Sequence, residues 1–319
     1  PRVSVLGLGL WQAGSRMWKW NSSMVEEFRR ALRYAVTYGL NFFDTAEIYG
    51  NGFSERLLGE ALREFNGEDL VVASKVAGYR WTRSSILKTV DGINRRLGRT
   101  VDLIQHHWPP PVYVNICRVV NALESVVKQG FSSYYGFSNY PARLLEKAYE
   151  CTRSIEPVSN QIQYNLAYRT PEARLIPFMH RKGLGLIAWS PLAKGGLAGL
   201  TKPSSPAQAS DPIARRAMRD SKLQEALERV ARRHYATKSQ IALAWLIYKG
   251  AVPIPGFRRM ERVRDYLAAA EIRLTPGDIE LLDDVTSKYV YDRDYDMLQK
   301  LRFVPGLLQA VAIKSMRGI

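Results

Sequence analysis

Short apolar runs recur along the chain, and each one ends in polar or ionisable residues. The runs LNFFD, DLVVASK, VDLIQHH, YYGFSN, PVSNQ and LGLIAWS supply, in order, Asp44 with Tyr49 shortly after it, Lys75, His106 and His107, Ser138 and Asn139, Gln161, and Trp189 and Ser190. The steps from Asp44 through Lys75 and His107 to Ser138 are 31, 32 and 31 residues, the length of one strand and one returning helix. A parallel barrel of such units brings its strand ends to one face. The pattern therefore predicts one ring containing an acid, a phenol, an amine and an imidazole.

Strand and helix patterns alternate along the chain and predict an α/β fold. After a short first run, VSVLGLG, apolar runs predict strands at 40–44, 70–74, 101–106, 134–137, 158–162, 184–189 and 251–254. Helical spacing predicts helices at 24–38, 53–65, 83–97, 113–129, 141–152, 171–182, 213–233, 238–248 and 260–270, and a capping box at Thr275 begins another. Eight such repeats close a (β/α)8 TIM barrel of parallel strands with its active site at their C-terminal ends. We expect residues 1–319 to form this single barrel domain, with a C-terminal extension from about 287 to 319.

Composition places the chain among globular proteins. With 46% apolar and 24% charged residues, 319 residues can bury a sizeable core. No basic, apolar leader and no apolar run of membrane-spanning length is present, so we expect a cytoplasmic protein without a membrane partner.

Cys117 and Cys151 lie on adjacent predicted helices, where a bridge is conceivable, but two free thiols are the expectation. Two cysteines give no metal-ligand framework, and no metal is expected.

The formal net charge of +16 requires a separate explanation. The basic residues are spread over predicted helices, as in RRALR, RRLGR and RRMERVR, and form no tail or arm. The chain contains no aromatic RNA-recognition motif, no zinc-finger spacing and no long lysine tract. We therefore interpret most of the charge as solvated helix surface and expect no nucleic-acid partner.

An open dinucleotide-binding sheet is the main alternative to a barrel. Its fingerprint needs three glycines, and the opening GLGLWQAG has Gly7 and Gly9 but Gln12 where the third glycine would stand. The fingerprint is therefore absent, and these glycines are expected to allow a tight turn or a close backbone approach.

Several motifs in the same order and spacing resemble the aldo-keto reductases. The stretch FFDTAEIYGNGFSERLLGEAL resembles the first signature of that family, and VDLIQHHWP, YYGFSN, NQIQYN, AWSPLAKGGL and PIPGFRRMERVRDYLAA resemble later ones. The resemblance runs over almost the whole chain. It implies an (α/β)8 barrel that binds a nicotinamide cofactor without a Rossmann motif, and a catalytic tetrad of Asp44, Tyr49, Lys75 and His107. His106 stands where the family usually has an apolar residue.

The implied chemistry suits these side chains. A carbonyl group receives hydride at carbon and a proton at oxygen, and a free phenol is a poor acid near neutrality. Lys75 is expected to make Tyr49 a better acid, because a nearby ammonium stabilises phenolate, while Asp44 holds Lys75 in place. His107 is expected to donate to the carbonyl oxygen.

The resemblance also implies the cofactor and substrate residues. Those expected at the cofactor are Ser138, Asn139 and Gln161 for the carboxamide, Trp189 for stacking on nicotinamide, Ser190 and Leu192 for the pyrophosphate, and Arg258, Arg259 and Arg262 for the 2′-phosphate. Three guanidinium groups suit a phosphate, so we expect NADPH and regard NADH as the less suitable cofactor. The expected substrate-binding residues are Trp11, Trp81 and Trp108. Asp265 and Tyr266 replace a common Glu-Asn pair, which leaves the adenine contact open.

Two classes of function follow from the resemblance. The first is an NADPH-dependent reductase of aldehydes or ketones, a monomer or homo-oligomer acting on small carbonyls or alcohols. The second is a cofactor-binding regulatory subunit of the potassium-channel β type with slow or vestigial activity. For the tail, helical spacing predicts a helix from about 300 to 316, with Pro305 in its first turn, that buries Leu301, Leu307, Leu308, Val311 and Ile313. We expect this helix to dock on its own barrel, with a subunit contact or a substrate lid as alternatives.

Overall fold

A computed structural model describes residues 2–65, 69–292 and 299–317. Eight parallel strands pair in chain order, as the sequence predicted. They are β1 (Leu8–Gly9), β2 (Phe42–Asp44), β3 (Val71–Val76), β4 (Val101–His106), β5 (Ser132–Ser138), β6 (Ser159–Gln163), β7 (Gly185–Trp189) and β8 (Ala251–Ile254). A parallel bridge between Gly9 and Gly256 brings the first and last strands together. The sheet is therefore a nearly closed (β/α)8 barrel, which confirms the predicted fold class.

Helices cover the outside of the barrel. Within the described residues they are α1 (Met24–Thr37), α2 (Phe53–Leu62), α3 (Arg83–Leu97), α4 (Ile116–Lys128), α5 (Ala142–Glu150), α6 (Leu175–Arg181), α7 (Pro206–Ala209), α8 (Pro212–Arg219), α9 (Ser221–Arg233), α10 (Lys238–Tyr248), α11 (Met260–Glu271), α12 (Pro276–Thr286) and α13 (Gly306–Arg317). The prediction of one helix over 213–233 was wrong. Asp220 has an extended backbone and caps α9 by accepting from the Leu223 amide, so two helices form there. In the described ranges, no helix is both long and apolar enough to cross a membrane.

The opening glycines allow the barrel to close. The amide of Gly7 donates to Pro253 O at 3.0 Å, and that of Gly9 donates to Pro255 O at 3.0 Å. A Cβ atom on Gly9 would lie 2.8 Å from the Ile254 carbonyl oxygen, so any side chain would push β1 away from β8. The close backbone approach expected from the sequence is confirmed.

Two apolar cores hold the barrel. The larger core lies between the sheet and the helices. The smaller one fills the barrel interior with Phe42, Val71, Ala73, Leu103, Ile187 and Ile254. Near the carboxyl ends of the strands the buried side chains become polar, and Asp44, Lys75, Gln105 and Gln161 are each at most 2% exposed. The polar ring therefore lies on an apolar floor.

The two cysteines form a disulfide, so the expectation of free thiols was wrong. Cys117 lies in the first turn of α4 and Cys151 directly follows α5, and their Cα atoms are 5.0 Å apart. The bridge joins two neighbouring outer helices across a sequence separation of 34 residues. It restricts the unfolded chain much more than the folded one.

Replacing both cysteines with serine is expected to lower the melting temperature. Closing a loop of this length stabilises a fold by roughly 3–4 kcal/mol, which corresponds to about 5 °C for a chain of this size. Calorimetry of the double variant and of the reduced wild type measures the effect, and the two should agree. Free thiols titrated in the unreduced wild type, or an unchanged melting temperature after reduction, would contradict the bridge.

The tail forms a helix, but it begins about six residues later than predicted, with Pro305 before its first turn, and Leu307, Leu308 and Val311 face solvent instead of the barrel. A 3-10 turn covers Gln299–Phe303, and α13 begins directly after Pro305. Three residues predicted to be buried are 81%, 54% and 57% exposed, and they are Leu307, Leu308 and Val311. Leu301 does pack against the core, beside Trp108. The side chain of Ile313 lies outside those that the structure describes.

Among residues 306–311, the part of α13 whose side chains the structure describes, Gln309 is the buried one. Its side chain is 0% exposed, donates to the carbonyl oxygens of Leu301 and Val304 at 2.8 and 3.0 Å, and accepts from Trp108 Nε1 at 2.9 Å. An indole N–H buried without an acceptor costs about 1–3 kcal/mol, and Gln309 removes that cost. Hydrogen bonding therefore decides which face of the helix meets the barrel.

Candidate active site

Lys75 and Asp44 form a buried ion pair at the centre of the ring. Asp44 ends β2 and Lys75 lies near the end of β3, and Lys75 Nζ donates to Asp44 Oδ1 at 2.5 Å and to the Thr45 carbonyl oxygen at 2.9 Å. The Lys75 side chain is 0% exposed. Burial lowers the pKa of Lys75 because it penalises the ammonium, whereas the Asp44 carboxylate opposes that effect.

Two buried amides hold the other oxygen of Asp44. Gln161 Nε2 donates to Asp44 Oδ2 at 2.7 Å, and Gln105 Nε2 donates to it at 3.2 Å. Gln161 also approaches Gln105, at 3.4 Å between Nε2 and Oε1. The sequence did not predict a role for Gln105, and it placed Gln161 at the cofactor rather than on Asp44. Together with Lys75, the amides fix the carboxylate from three directions.

Tyr49 lies on a tight turn directly above this pair. Gly50, Asn51 and Gly52 have φ angles of 53°, 53° and 80°, which turn the chain sharply into α2. Lys75 Nζ lies 5.1 Å from the centre of the Tyr49 ring. The Tyr49 ring in turn meets the His107 ring edge to face, with 5.7 Å between centres. The structure thus brings together all four residues predicted as the tetrad.

The adjacent histidines face different surroundings. His107 neighbours Tyr49, whereas His106 Nδ1 pairs with the Tyr140 hydroxyl at 2.7 Å and His106 Nε2 pairs with the Arg80 carbonyl oxygen at 3.0 Å. Complete burial lowers the pKa of His106 to about 4. His106 is therefore a neutral residue that links β4 to neighbouring loops, and His107 is the histidine of the ring.

Ser138 and Asn139 follow β5 and connect the ring to Trp189. Asn139 has a φ of 60°, and its Nδ2 donates to the His107 carbonyl oxygen at 2.9 Å and to Ser138 Oγ at 3.0 Å. Asn139 Oδ1 accepts from Trp189 Nε1 at 2.9 Å. The amide therefore fixes the half-buried indole at the end of β7 and the backbone of His107 together.

The loop after β7 contains non-glycine residues in the left-handed backbone conformation. Ser190, Ala193 and Lys194 have φ angles of 52°, 45° and 52°, and Leu192 is 8% exposed. Lys194 Nζ pairs with Asp211 at 2.7 Å and lies 4.9 Å from the centre of the Trp11 ring. Lys194, which the sequence did not single out, thereby ties this loop to the loop after β1.

The three arginines after β8 have different environments. Arg258 is half-buried, donates through Nε to Gln12 Oε1 at 3.1 Å, and donates through a terminal nitrogen to the Trp18 carbonyl oxygen at 2.5 Å. Its guanidinium carbon lies 5.9 Å from the centre of the Trp18 ring. Arg259 and Arg262 are exposed at the start of α11. Arg258 therefore binds the loop after β1, and the other two present their charges to solvent.

The residues in the Glu-Asn positions have structural partners. Asp265 accepts from Thr237 and Ser239 at 3.1 and 2.8 Å, which fastens α11 to the start of α10. Tyr266 is 4% exposed and donates to the Gly256 carbonyl oxygen at 3.0 Å. Asp265 and Tyr266, which replace the common Glu-Asn pair, therefore both help to pack α11.

Aromatic side chains line one side of the ring. Trp108 is 1% exposed and lies 5.0 Å from His107 and 6.0 Å from Tyr79 between ring centres. Trp11 is half-buried and meets Trp18 edge to face. Trp81 is half-buried too, but it packs against the large outer core. Tyr79, absent from the sequence prediction, is the aromatic next to Trp108.

The site consists of side chains that can act as acids, bases and hydrogen-bonding groups. Within residues 2–65, 69–292 and 299–317, no group of three or more His, Cys, Asp or Glu is arranged to hold a metal ion. Ser190 Oγ is buried and has no hydrogen-bond partner in the described chain, which suits a hydroxyl that hydrogen-bonds a bound ligand. With two exposed guanidinium groups beyond it, the residues after β7 and β8 fit an anionic dinucleotide.

The chain is similar in sequence and fold to known proteins. The sequence model of the aldo/keto reductase family matches residues 5–287. An uncharacterized oxidoreductase of Mycobacterium bovis is 34% identical over 296 residues, 90% of this chain and 91% of that protein. The chloroplastic pyridoxal reductase of Arabidopsis thaliana is 33% identical over 294 residues, 86% of this chain and 80% of that protein. A crystal structure of an aldo-keto reductase from Klebsiella pneumoniae in complex with NADPH has a TM-score of 0.78 at 26% identity, covering 92% of this chain and 95% of that one.

Proposed function

The chain belongs to the aldo-keto reductase family, and we propose that it is an NADPH-dependent oxidoreductase that reduces aldehydes or ketones to alcohols and catalyses the reverse oxidation. One observation carries the proposal. A phenol, an ammonium and an imidazole meet at the end of the barrel, with 5.1 Å from Lys75 Nζ to the Tyr49 ring centre and 5.7 Å between the Tyr49 and His107 rings. This is the set of groups that a carbonyl needs for protonation at oxygen.

Tyr49 acts as the general acid in the direction of reduction. The Lys75 ammonium stabilises the phenolate that remains after proton transfer, because opposite charges attract more strongly at a partly buried site than in bulk water. Asp44 keeps Lys75 protonated in spite of its burial, and the Gln105 and Gln161 amides keep Asp44 from turning away. In alcohol oxidation the same phenolate accepts the proton.

His107 donates to the carbonyl oxygen and sets its direction. Developing negative charge at that oxygen is stabilised by a donor that is already in position, without reorganisation of solvent. The Asn139 amide fixes the backbone of His107 at 2.9 Å, and the same amide fixes the Trp189 indole. The Asn139 side chain thus holds both His107, a residue of the catalytic ring, and Trp189, a residue on the cofactor side.

The cofactor site follows from the loops after β5, β7 and β8. Trp189 offers a ring for stacking, Ser190 offers a buried hydroxyl without a partner, and Ser138, Asn139 and Leu192 lie around them. Arg259 and Arg262 bind the 2′-phosphate, whereas Arg258 joins the loops after β1 and β8. When bound, the nicotinamide supplies the hydride. The NADPH complex of the Klebsiella pneumoniae relative supports this choice of cofactor.

The substrate class follows from the walls beside the tetrad. Tyr79, which is partly exposed and lies against the buried Trp108, gives the substrate side of the ring an aromatic wall near His107. Planar aromatic aldehydes can stack there while their oxygen reaches Tyr49 and His107. The name of the Arabidopsis thaliana relative, a pyridoxal reductase, supports an aromatic aldehyde as well.

Steady-state oxidation of NADPH with a panel of aldehydes tests the proposal. We expect turnover with aromatic aldehydes and a higher kcat/KM for these than for short aliphatic aldehydes of equal charge. Binding of NADPH without turnover of any aldehyde, ketone or alcohol would overturn the proposal. That outcome would favour the regulatory-subunit class instead.

The arginines provide a test of cofactor choice. Changing Arg259 and Arg262 to alanine is expected to weaken NADPH binding about a hundredfold and to leave NADH binding nearly unchanged, because only NADPH carries the 2′-phosphate. Arg258→Ala should weaken both cofactors by similar factors, since it releases the loop after β1. Arg264→Ala, on the same helix and also exposed, is the control. Titration of Trp189 fluorescence measures each affinity, and equal weakening of both cofactors by the Arg259 and Arg262 changes would contradict their role.

A further inference from the structure

Glu55 is a fully buried carboxylate just outside the catalytic ring. It lies in the first turn of α2, a short distance along the chain from Tyr49, and its side chain is 0% exposed. Glu55 Oε1 accepts from Ser74 Oγ at 2.7 Å, and Glu55 Oε2 accepts from Arg96 Nε at 2.5 Å. Because a buried ion pair adds little net stability to a fold, the informative feature of this one is what its two partners hold in place.

Ser74 connects Glu55 to the strand that carries Lys75. Ser74 and Lys75 are neighbours in β3, and alternation along a strand directs them to opposite faces. Lys75 points into the barrel, toward Asp44, whereas Ser74 points outward, toward α2. The Glu55 carboxylate therefore holds the backbone beside Lys75 from the outer side of the barrel wall.

Arg96 connects the same carboxylate to the turn that carries Tyr49. Arg96 lies near the end of α3, and Gly52 is the last residue of the turn. A Cβ atom on Gly52 would lie 2.6 Å from Arg96 Cδ and 2.8 Å from Arg96 Nε, so the arginine packs directly against the turn. A Cβ atom on Gly59 would lie 2.2 Å from the Leu97 carbonyl oxygen, so α2 meets this end of α3 backbone to backbone. A shift of Arg96 would therefore also shift the turn.

Ser54, the residue before Glu55, holds an acceptor of Lys75. Ser54 Oγ pairs with Thr45 Oγ at 2.8 Å, and the Thr45 carbonyl oxygen accepts from Lys75 Nζ at 2.9 Å. Ser54 Oγ also donates to the Leu10 carbonyl oxygen, directly after β1, at 3.3 Å. Two consecutive residues of α2 thus fix Lys75 at two points, its strand and the oxygen that receives its ammonium.

The charge of Glu55 also acts on Lys75. Burial lowers the pKa of Lys75, and the carboxylates of Asp44 and Glu55 oppose this effect by stabilising the ammonium. Burial raises the pKa of Glu55 itself, the Arg96 guanidinium opposes that rise, and the Glu47 carboxylate adds to it. Removing the negative charge of Glu55 should therefore make Lys75 lose its proton at a lower pH.

We propose that Glu55 is a positioning residue for proton transfer by Tyr49, a role that rests on the proposed function. Through Ser74 it fixes the strand of Lys75. Through Arg96 it fixes the turn of Tyr49, so one carboxylate sets the separation of the ammonium and the phenol. Lys75 Nζ lies 5.1 Å from the centre of the Tyr49 ring, and the attraction between an ammonium and a phenolate weakens as they move apart. Loss of Glu55 should therefore lower turnover and leave the binding of aldehyde and NADPH nearly unchanged.

Kinetics of Glu55→Gln, which replaces the carboxylate with a neutral side chain of similar size, test the proposal. We expect kcat for an aromatic aldehyde to fall about tenfold to a hundredfold, with KM and the NADPH Kd nearly unchanged. The alkaline decline of kcat should move to lower pH by roughly half a unit to one unit, because Lys75 loses one of two carboxylates. Ser74→Ala removes the link but not the charge, so it should lower kcat without moving the alkaline decline.

Glu124→Gln is the matched control. Glu124 is 3% exposed and accepts from the amides of Arg153 and Ser154 at 2.8 and 3.1 Å, outside the barrel wall and away from the ring. Its loss should lower the melting temperature at least as much as Glu55→Gln does, without changing kcat or its pH profile.

NMR of isotopically labelled lysine side chains measures the Lys75 pKa without substrate, and Lys75→Met identifies the signal. We expect Glu55→Gln to lower this pKa. A wild type that reduces no aldehyde would overturn both the proposed function and this role. With an active wild type, unchanged kcat in Glu55→Gln, an unchanged Lys75 pKa, or an equal loss of kcat in Glu124→Gln would each overturn this role alone. Ser74→Ala supplies the same kcat comparison if Glu55→Gln does not fold.

Discussion

Replacing Tyr49 with phenylalanine is expected to lower kcat for aldehyde reduction by about 10²–10⁴-fold, the usual contribution of a general acid. The change removes only the hydroxyl, so the turn, the ion pair beneath it and the cofactor residues should stay in place. NADPH affinity should therefore change little. Steady-state kinetics and a fluorescence titration, carried out on the same preparation, measure both quantities.

Tyr140→Phe is the matched control for this change. Tyr140 is a fully buried tyrosine whose hydroxyl pairs with His106, outside the ring of catalytic groups. Its loss should affect stability more than kcat. A Tyr49→Phe enzyme that turns over within about tenfold of the wild type would remove Tyr49 from the role of acid.

Replacing Lys75 with methionine is expected to lower kcat about a hundredfold to a thousandfold, the range seen when one stabilising charge or donor is lost from an active site. Methionine is similar in volume to lysine and suits a completely buried position, so the variant should still fold. Asp44 keeps its two amide donors, Gln105 and Gln161, and is not left without partners. Lys249→Met is the control, because Lys249 also forms an ion pair, with Asp283, away from the ring.

The pH profile separates a catalytic Lys75 from a structural one. Because burial lowers the pKa of Lys75, its ammonium is lost on raising the pH before an exposed lysine would lose its proton. Wild-type activity should therefore decline on the alkaline side as Lys75 deprotonates, and the Lys75→Met enzyme should lack that part of the decline. Unchanged kcat in the methionine variant, with the full alkaline decline retained, would show that Lys75 serves only the fold.

The barrel and its strand ends could be predicted from sequence because both depend on local pattern. Apolar runs of strand length, separated by helical spacing, recur at nearly constant intervals, and the residue after each run is placed by the topology alone. Asp44, Lys75 and His107 meet for that reason. Gln105 was missed although alternation places it on the same face of β4 as His107, two residues later.

The remaining differences involve contacts between distant parts of the chain. Arg258 contacts Gln12 across the seam between the first and last strands. The sequence made Arg258 appear equivalent to Arg259 and Arg262, although only Arg258 of the three makes this contact. The disulfide depends on the approach of α4 and α5, which helical spacing does not specify. Apolar spacing also predicted the wrong buried face of α13, since the acceptor needed by Trp108 is 201 residues away.

Transfer of deuterium to an aromatic aldehyde, from NADPH in which both hydrogens of the nicotinamide C4 are deuterium, tests the central claim most directly. Purified protein, labelled cofactor and aldehyde are mixed, and mass spectrometry of the alcohol locates the label. We expect the alcohol carbon to carry deuterium in the wild type and little alcohol to form with Tyr49→Phe. Alcohol without the label, or no alcohol from a protein that binds NADPH normally, would contradict hydride transfer at this site.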